Sequence, residues 1–264
     1  MCETCGCTIG GRESAPHTLD IHAVEVLENL LAQNDHTAAH NREHFNHHGV
    51  LAVNLMSSPG AGKTALLEAT IDALKDEFAI AVIEGDLETE NDAQRIRAHG
   101  VAAVQITTGS TCHLDAAMVH EALHEMSLDG LDLLFIENVG NLVCPASFDL
   151  GQHLNVTLLS APEGDDKPAK YPVMFRAADL VVLSKSDLLP LLEDFSVERA
   201  TRGVRQLAST VPVLTLSARK GRGLEAWFAW LRQMRTDVRN GVAVSDTPVL
   251  EQSRVGAHAH AERR

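Results

Sequence analysis

The chain has 264 residues, 45% apolar but only 4% aromatic, with a formal net charge of −14 and a pI near 5.4. That length suits one large domain with an appendage, and so acidic a balance argues against nucleic acid or anionic membrane as a main partner. No apolar run approaches the roughly 20 residues that span a bilayer, and no basic start leads into an apolar leader, so the chain reads as cytoplasmic.

In chain order, residues 1–17 open "MCETCGC", with Cys2, Cys5 and Cys7 in a polar, aperiodic stretch expected to be a flexible tail. Residues 18–49 form a helical segment in which Val24, Leu27 and Leu31 keep an i, i+3, i+7 spacing. The segment is one long helix or two with a break near Asn34–Asp35, and Gly49 supplies a stop. His36, His40, His44 and His47 or His48 fall on one face of it, which reads first as a solvated polar face. Residues 50–240 alternate continuous apolar runs with helical stretches. The runs are VLAVNLM, FAIAVIEGD, VAAVQIT, LDLLFIEN, NVTLLSA, DLVVLSK and VPVLTLSA. This is the pattern of an α/β protein with a mostly parallel sheet and helices on both faces, and the Gly-rich loop after the first run makes it a P-loop NTPase. His120 and His124 stand one helical turn apart with no third ligand visible. Residues 241–264, ending GAHAHAERR, read as a disordered tail that includes His258 and His260.

The stretch NLMSSPGAGKTALL carries the most chemistry. A phosphate loop needs a strand, a glycine turn and a helix start, so that backbone N–H groups cradle phosphates, a lysine reaches the outer oxygens and a hydroxyl holds Mg²⁺. Gly60, Ala61, Gly62, Lys63, Thr64 and Ala65 supply these parts, with Ser57 where such loops usually begin on glycine. Asp86 closes IEGD and Glu137 closes FIE. Both sit at the ends of strands, where they can hold Mg²⁺ or orient a water, and with Lys63 they are the catalytic candidates. VVLSKSD resembles the guanine-reading N-K-x-D pattern with Ser184 in the Asn place. The Asp187 carboxylate accepts from N1–H and the N2 amine of guanine, a pair adenine lacks, and Lys185 lies over the base. Ser217 and Ala218 follow about 30 residues later as a loop against the base. GTP is therefore expected over ATP.

The thiol-rich tip, the His-bearing helix, SSPGAGKT, TGSTCHLDA, IENVGNLVCPASFDLG, EGDDKPAKYPVMF and LSKSDLLP, in this order, resemble the HypB family of nickel-incorporation GTPases of hydrogenase maturation. The likeness runs from about residue 18 to 235, with Ser57 and Glu137 as that family has them and Ser184 a departure. It implies a GTP-hydrolysing nickel metallochaperone that assists nickel insertion into [NiFe]-hydrogenase. It further implies a nucleotide-dependent homodimer, a HypA-type nickel-binding accessory protein and the hydrogenase large subunit as partners, one metal site at Cys112, His113 and Cys144, and another at Cys2, Cys5 and Cys7.

The donors suit that reading. Thiolate and imidazole favour Ni²⁺ and Zn²⁺, and Cys-x2-Cys-x-Cys lets a short peptide wrap one ion. Cys144 follows Glu137 by seven residues, so nucleotide state is expected to reach the metal. Lys167 and Lys170 lie in a charged loop that can approach phosphate or a second subunit. The alternatives are a urease-type accessory GTPase, a nickel-storage protein with weak nucleotide turnover, and a P-loop kinase.

Overall fold

The computed structural model describes residues 21–87, 91–208, 210–242 and 244, so the thiols of Cys2, Cys5 and Cys7 and the histidines of the C-terminal tail lie outside the described residues. A continuous helix α1 (Ile21–His48) leads into β1 (Leu51–Ser57). Next come α2 (Lys63–Leu74), β2 (Ile80–Asp86), α3 (Asn91–Ala98), β3 (Ala102–Thr107), α4 (Ala116–Leu123) and β4 (Leu133–Glu137). β5 (Leu154–Ser160), the short helices α5 (Lys167–Lys170) and α6 (Pro172–Arg176), β6 (Leu180–Ser184), α7 (Val197–Leu207), β7 (Val213–Thr215) and α8 (Leu224–Arg239) complete the chain.

All seven apolar runs become strands of one sheet in the order β3-β2-β4-β1-β5-β6-β7, with every pair parallel. β1 is central and buried along its whole length. Its alternate side chains face the two sides of the sheet. Leu51, Val53 and Leu55 pack with Leu66, Leu67, Trp227 and Leu231 from α2 and α8. On the opposite face Ala52 meets Phe45 of α1 and Val119 of α4, while Met56, Val181 and Leu183 meet Phe175, Ala200 and Val204. Because every strand runs the same way, the C-terminal ends of β1, β2, β4 and β6 gather at one edge, where open α/β sheets bind ligands.

Of the two readings of the helical segment, the single long helix holds: there is no break at Asn34–Asp35. Asn34 is buried, its Nδ2 donates to Asp149 O at 2.8 Å, and its Oδ1 accepts from Ala116 N at 2.9 Å. Asn34, which reads as punctuation in sequence, is instead a tertiary clamp on the first turn of α4. The stop at Gly49 holds. Its φ is 65°, and Val50 N donates back to Phe45 O at 2.9 Å, closing the last turn of α1.

Candidate nucleotide and metal site

The segment between β1 and α2 builds a cradle. Gly62 stands immediately before α2 with φ 102°, a conformation that a Cβ would strain, and it frees the first turn of that helix to present its N–H groups outward. Lys63 is almost wholly buried. Its Nζ lies 3.2 Å from Ser57 Oγ and 3.8 Å from Glu137 Oε1. Thr64 Oγ1 donates to the same Glu137 oxygen at 3.0 Å. Gly140, behind Glu137, approaches the loop so closely that an added Cβ would stand 2.7 Å from Pro59 Cα. The turn after β4 is thus pressed against the phosphate loop.

Glu137 has a neighbour that sequence reasoning missed. Glu84 of β2 is its Cα partner in register and is also buried. Burial, and then the charge of Glu137, push the Glu84 carboxyl up to about 10, so it carries its proton at neutral pH. Burial pushes Glu137 up as well, against the pull of Lys63 and the Thr64 hydroxyl. A proton on Glu84 relieves the repulsion between the two carboxyls and leaves Glu137 facing Lys63 and the Thr64 hydroxyl. Glu137 Oε2 remains buried with no donor in reach. Asp86 ends β2, with its Oδ1 accepting from Leu87 N at 2.7 Å.

At the other end of the cradle a cavity of about 290 Å³ is lined by Ala61, Gly62, Ala65, Lys185, Asp187 and Ser217, with Ala218 and Arg219 at its rim. Lys185 is the one non-glycine residue with positive φ among the described residues, at 56°, and its Nζ donates to Gly60 O at 2.6 Å. Ser184 Oγ donates to Ala61 O at 2.7 Å, so the serine in the Asn place pins the phosphate loop to β6. Ser217 Oγ donates to Asp187 Oδ1 at 2.5 Å, and this bond holds the Asp187 carboxyl below the usual range. Lys167 and Lys170 are engaged locally: Lys167 lies over the Tyr171 ring and Lys170 pairs with Asp166 at 2.5 Å.

The metal candidates converge from two loops. Cys112 Sγ lies 3.2 Å from Cys144 Sγ and 3.9 Å from His113 Nδ1, and one donor atom from each of the three residues falls within 4.8 Å of the others. The His113 ring stacks on Phe148 at 3.9 Å, which fixes its plane. The Cys112 thiol beside it, together with burial, raises Cys144, and burial lowers His113. Asn138, one residue past Glu137, ties the two centres together. It is buried, its Oδ1 accepts from Leu114 N at 3.2 Å and Val139 N at 3.0 Å, and its Nδ2 donates to Asn54 Oδ1 at 3.2 Å. On the far side of the same loop, Asn141 Nδ2 donates to Cys112 O at 3.3 Å.

Residues 51–215 match the family model described as "CobW/HypB/UreG, nucleotide-binding domain". The "Hydrogenase maturation factor HypB" of Rhizobium leguminosarum bv. viciae is 51% identical over 222 residues, covering 83% of this chain and 74% of that protein. This chain belongs to the HypB family. The "Hydrogenase/urease maturation factor HypB" of Helicobacter hepaticus is 47% identical over 221 residues, covering 82% of this chain and 90% of that protein. A crystal structure of Helicobacter pylori HypB in complex with nickel superposes with a TM-score of 0.73 at 43% identity, covering 78% of this chain and 96% of that one. The resemblance read from SSPGAGKT and ENVGNLVCP therefore holds, as does the P-loop α/β fold it implies for a HypB chain. Among the described residues no helix is long and apolar enough to cross a membrane.

Proposed function

We propose that this chain hydrolyses GTP to GDP and phosphate, and that the nucleotide cycle controls the uptake and release of Ni²⁺ destined for a [NiFe]-hydrogenase. The observation that carries this reading is Asn138. It adjoins Glu137 at the phosphate loop and holds Leu114, two residues beyond Cys112, through one side-chain oxygen. Two chemically different pockets therefore share a single buried amide.

In this reading Lys63 and the N–H groups of residues 60–65 hold the phosphates and stabilise the charge that develops on the γ-phosphoryl group. Asp187 reads guanine, Lys185 covers the base, and Ser217 and Ala218 close the loop against it. The donorless Glu137 Oε2 beside the Thr64 hydroxyl suits a hard cation. Thr64, Glu137 and Asp86 would hold Mg²⁺, which when bound supplies charge neutralisation at the phosphates. Asp86 and Glu137 also orient the attacking water.

Cys112, His113 and Cys144 receive the nickel cargo, with Zn²⁺ as a competitor for the same thiolates. Cys2, Cys5 and Cys7 form a second carrier site on the N-terminal tail. Three donors per subunit, and Val143 with half its surface exposed beside Cys144, fit a homodimer whose nucleotide-dependent contact completes the site. A HypA-type accessory protein and the hydrogenase large subunit follow as partners in the cytoplasm. That a relative's name joins hydrogenase to urease keeps a urease-type recipient as the second reading.

The test is a Ni²⁺ titration of the reduced chain with GDP and with a non-hydrolysable GTP analogue, alongside GTP turnover. The expected result is at least a fivefold difference in nickel affinity between the two nucleotides, and loss of turnover but not of nickel binding in Lys63→Ala. Equal affinities and no turnover by the unmodified chain would overturn the proposal.

A further inference from the structure

The thiolate site is not the one place where metal donors gather. α1 and α4 pack against each other on one face of the sheet, and each brings a pair of histidines one turn apart to the seam: His40 and His44 from α1, His120 and His124 from the end of α4. The four rings form one connected cluster. Centroids lie 4.6 Å apart for His40 and His44, 5.1 Å for His40 and His120, 6.3 Å for His44 and His120, and 4.9 Å for His120 and His124. In sequence His120 and His124 lack a third ligand, and the fold supplies it from 76 or more residues upstream.

These centroid spacings bring the rings within reach of one ion once the exposed His40, His44 and His124 side chains rotate to turn their nitrogens inward. As placed, the donor atoms of Cys112, His113 and Cys144 are the one set among the described residues lying within 4.8 Å of one another. Imidazole nitrogens bind first-row metals at about 2.0–2.1 Å, which places ring centroids roughly 4.5–5 Å apart for adjacent ligands and about 6 Å for opposite ones. One ring is already held as a ligand would be. His120 Nδ1 lies 3.0 Å from Asn41 Oδ1, and Asn41 is fully buried with its amide nitrogen donating to Ala116 O at 2.9 Å and Leu150 O at 3.1 Å. The Asn41 oxygen must therefore accept, Nδ1 carries the hydrogen, and the Nε2 lone pair is left for an ion, the arrangement that orients metal-binding histidines. The cluster opens into a depression of about 140 Å³ edged by Met126 and by the His48–Asp129 pair, whose Nδ1 and Oδ1 are 3.1 Å apart. Burial and the neighbouring rings hold His44 and His120 below the ordinary imidazole range, which keeps their lone pairs free at neutral pH.

We propose that His40, His44, His120 and His124 form a second transition-metal site across the α1–α4 seam. All-imidazole donors select a borderline divalent ion such as Ni²⁺, Cu²⁺ or Zn²⁺ over Mg²⁺ or Ca²⁺. The site shares no residue with the Cys112–His113–Cys144 centre, and α4 joins the two, beginning three residues after His113 and running about 12 Å to His124.

The test uses the full chain with all five cysteines changed to Ser, titrated with Ni²⁺ and, for ligand identity, with Cu²⁺ followed by electron paramagnetic resonance. The expected result is one tightly held equivalent with nitrogen-only hyperfine structure, weakened at least tenfold by His40→Gln/His44→Gln and also by His120→Gln/His124→Gln, while His258→Gln/His260→Gln leaves it unchanged. If the cysteine-free chain is unstable, the same histidine changes in the thiol-bearing chain should lower Ni²⁺ stoichiometry by one equivalent and leave thiolate-to-nickel absorption intact. Retention of no ion by the cysteine-free chain, an unchanged stoichiometry, or loss on changing the α1 pair with no effect of the α4 pair would each overturn the proposal. None of these readouts requires GTP, so the site stands or falls separately from the nucleotide cycle.

Discussion

Ser184 shows how one side chain can alter the logic of a motif. Guanine-binding loops of this kind commonly place Asn there. Here the shorter hydroxyl reaches Ala61 O, two residues before Lys63, and anchors the phosphate loop to the end of β6, three residues before Asp187. The Asp187 side and the Gly62 side of the cavity are thereby held to each other. His153 is another residue whose environment decides its chemistry. Its Nδ1 accepts from Ala52 N at 3.0 Å and its Nε2 faces Asn46 Oδ1 at 3.1 Å. Burial, helped by the charge of Arg42, lowers its pKa to about 4. The unfolded chain takes up this proton near pH 6.5, and the folded chain refuses it until about pH 4, so stability falls with pH across that window and levels off below it. Between pH 7 and 5 this one residue should remove about 2 kcal/mol, following from the two pKa values. Urea unfolding at both pH values checks it: the difference in stability between wild type and His153→Gln should shrink by that amount on acidification, and a constant difference would refute the assignment.

At the scale of elements, β4 and the turn that continues it do the connecting. Glu137 closes the strand at the phosphate loop, Asn138 reaches the metal loop, Gly140 lies against Pro59, and Cys144 follows on the same excursion. Asn138→Ala should leave Leu114 N and Val139 N without their acceptor, costing about 1–3 kcal/mol of stability. In the same variant the ratio of nickel affinities with GDP and with a GTP analogue should collapse toward one, as calorimetric titration would show. A preserved ratio would mean that coupling runs by another route. The elements also show what was readable beforehand. The seven strands were legible because buried parallel strands are plain apolar runs bounded by turn residues, and the cradle was legible because glycines and Lys-Thr must sit between strand and helix. Glu84 was hidden inside such a run, since only cross-strand register reveals that it faces Glu137. The continuity of α1 was hidden for a related reason: the residue that looked like a helix break, Asn34, has its partners 82 and 115 residues away. His40 and His120 are likewise distant in the chain and adjacent only across a helix seam.

For the whole molecule, the wholly parallel sheet brings the ends of four strands to one edge and gives the phosphate loop, the Glu137 carboxyl and the Cys112 and Cys144 thiols a common frame. A ligand that binds only this assembled edge stabilises the entire fold. GDP at a hundred times its dissociation constant should add about 2.7 kcal/mol, and hence raise Tm by roughly 5–10 °C for a domain of this size. Differential scanning calorimetry tests this, with Asp187→Asn expected to lose most of the shift and an equal shift by ATP counting against guanine selection.

The same topology sets the order in which the molecule can be completed. The docking groups of α1 belong to parts of the chain made much later: Asn41 binds Leu150 O, 109 residues downstream. At about 5–20 residues per second of synthesis, α1 waits on the order of 5–20 s after its own synthesis before that partner exists. α1 therefore settles no earlier than the loop that carries Leu150, and translation speed sets a lower limit on how long its Asn41-bearing face stays open.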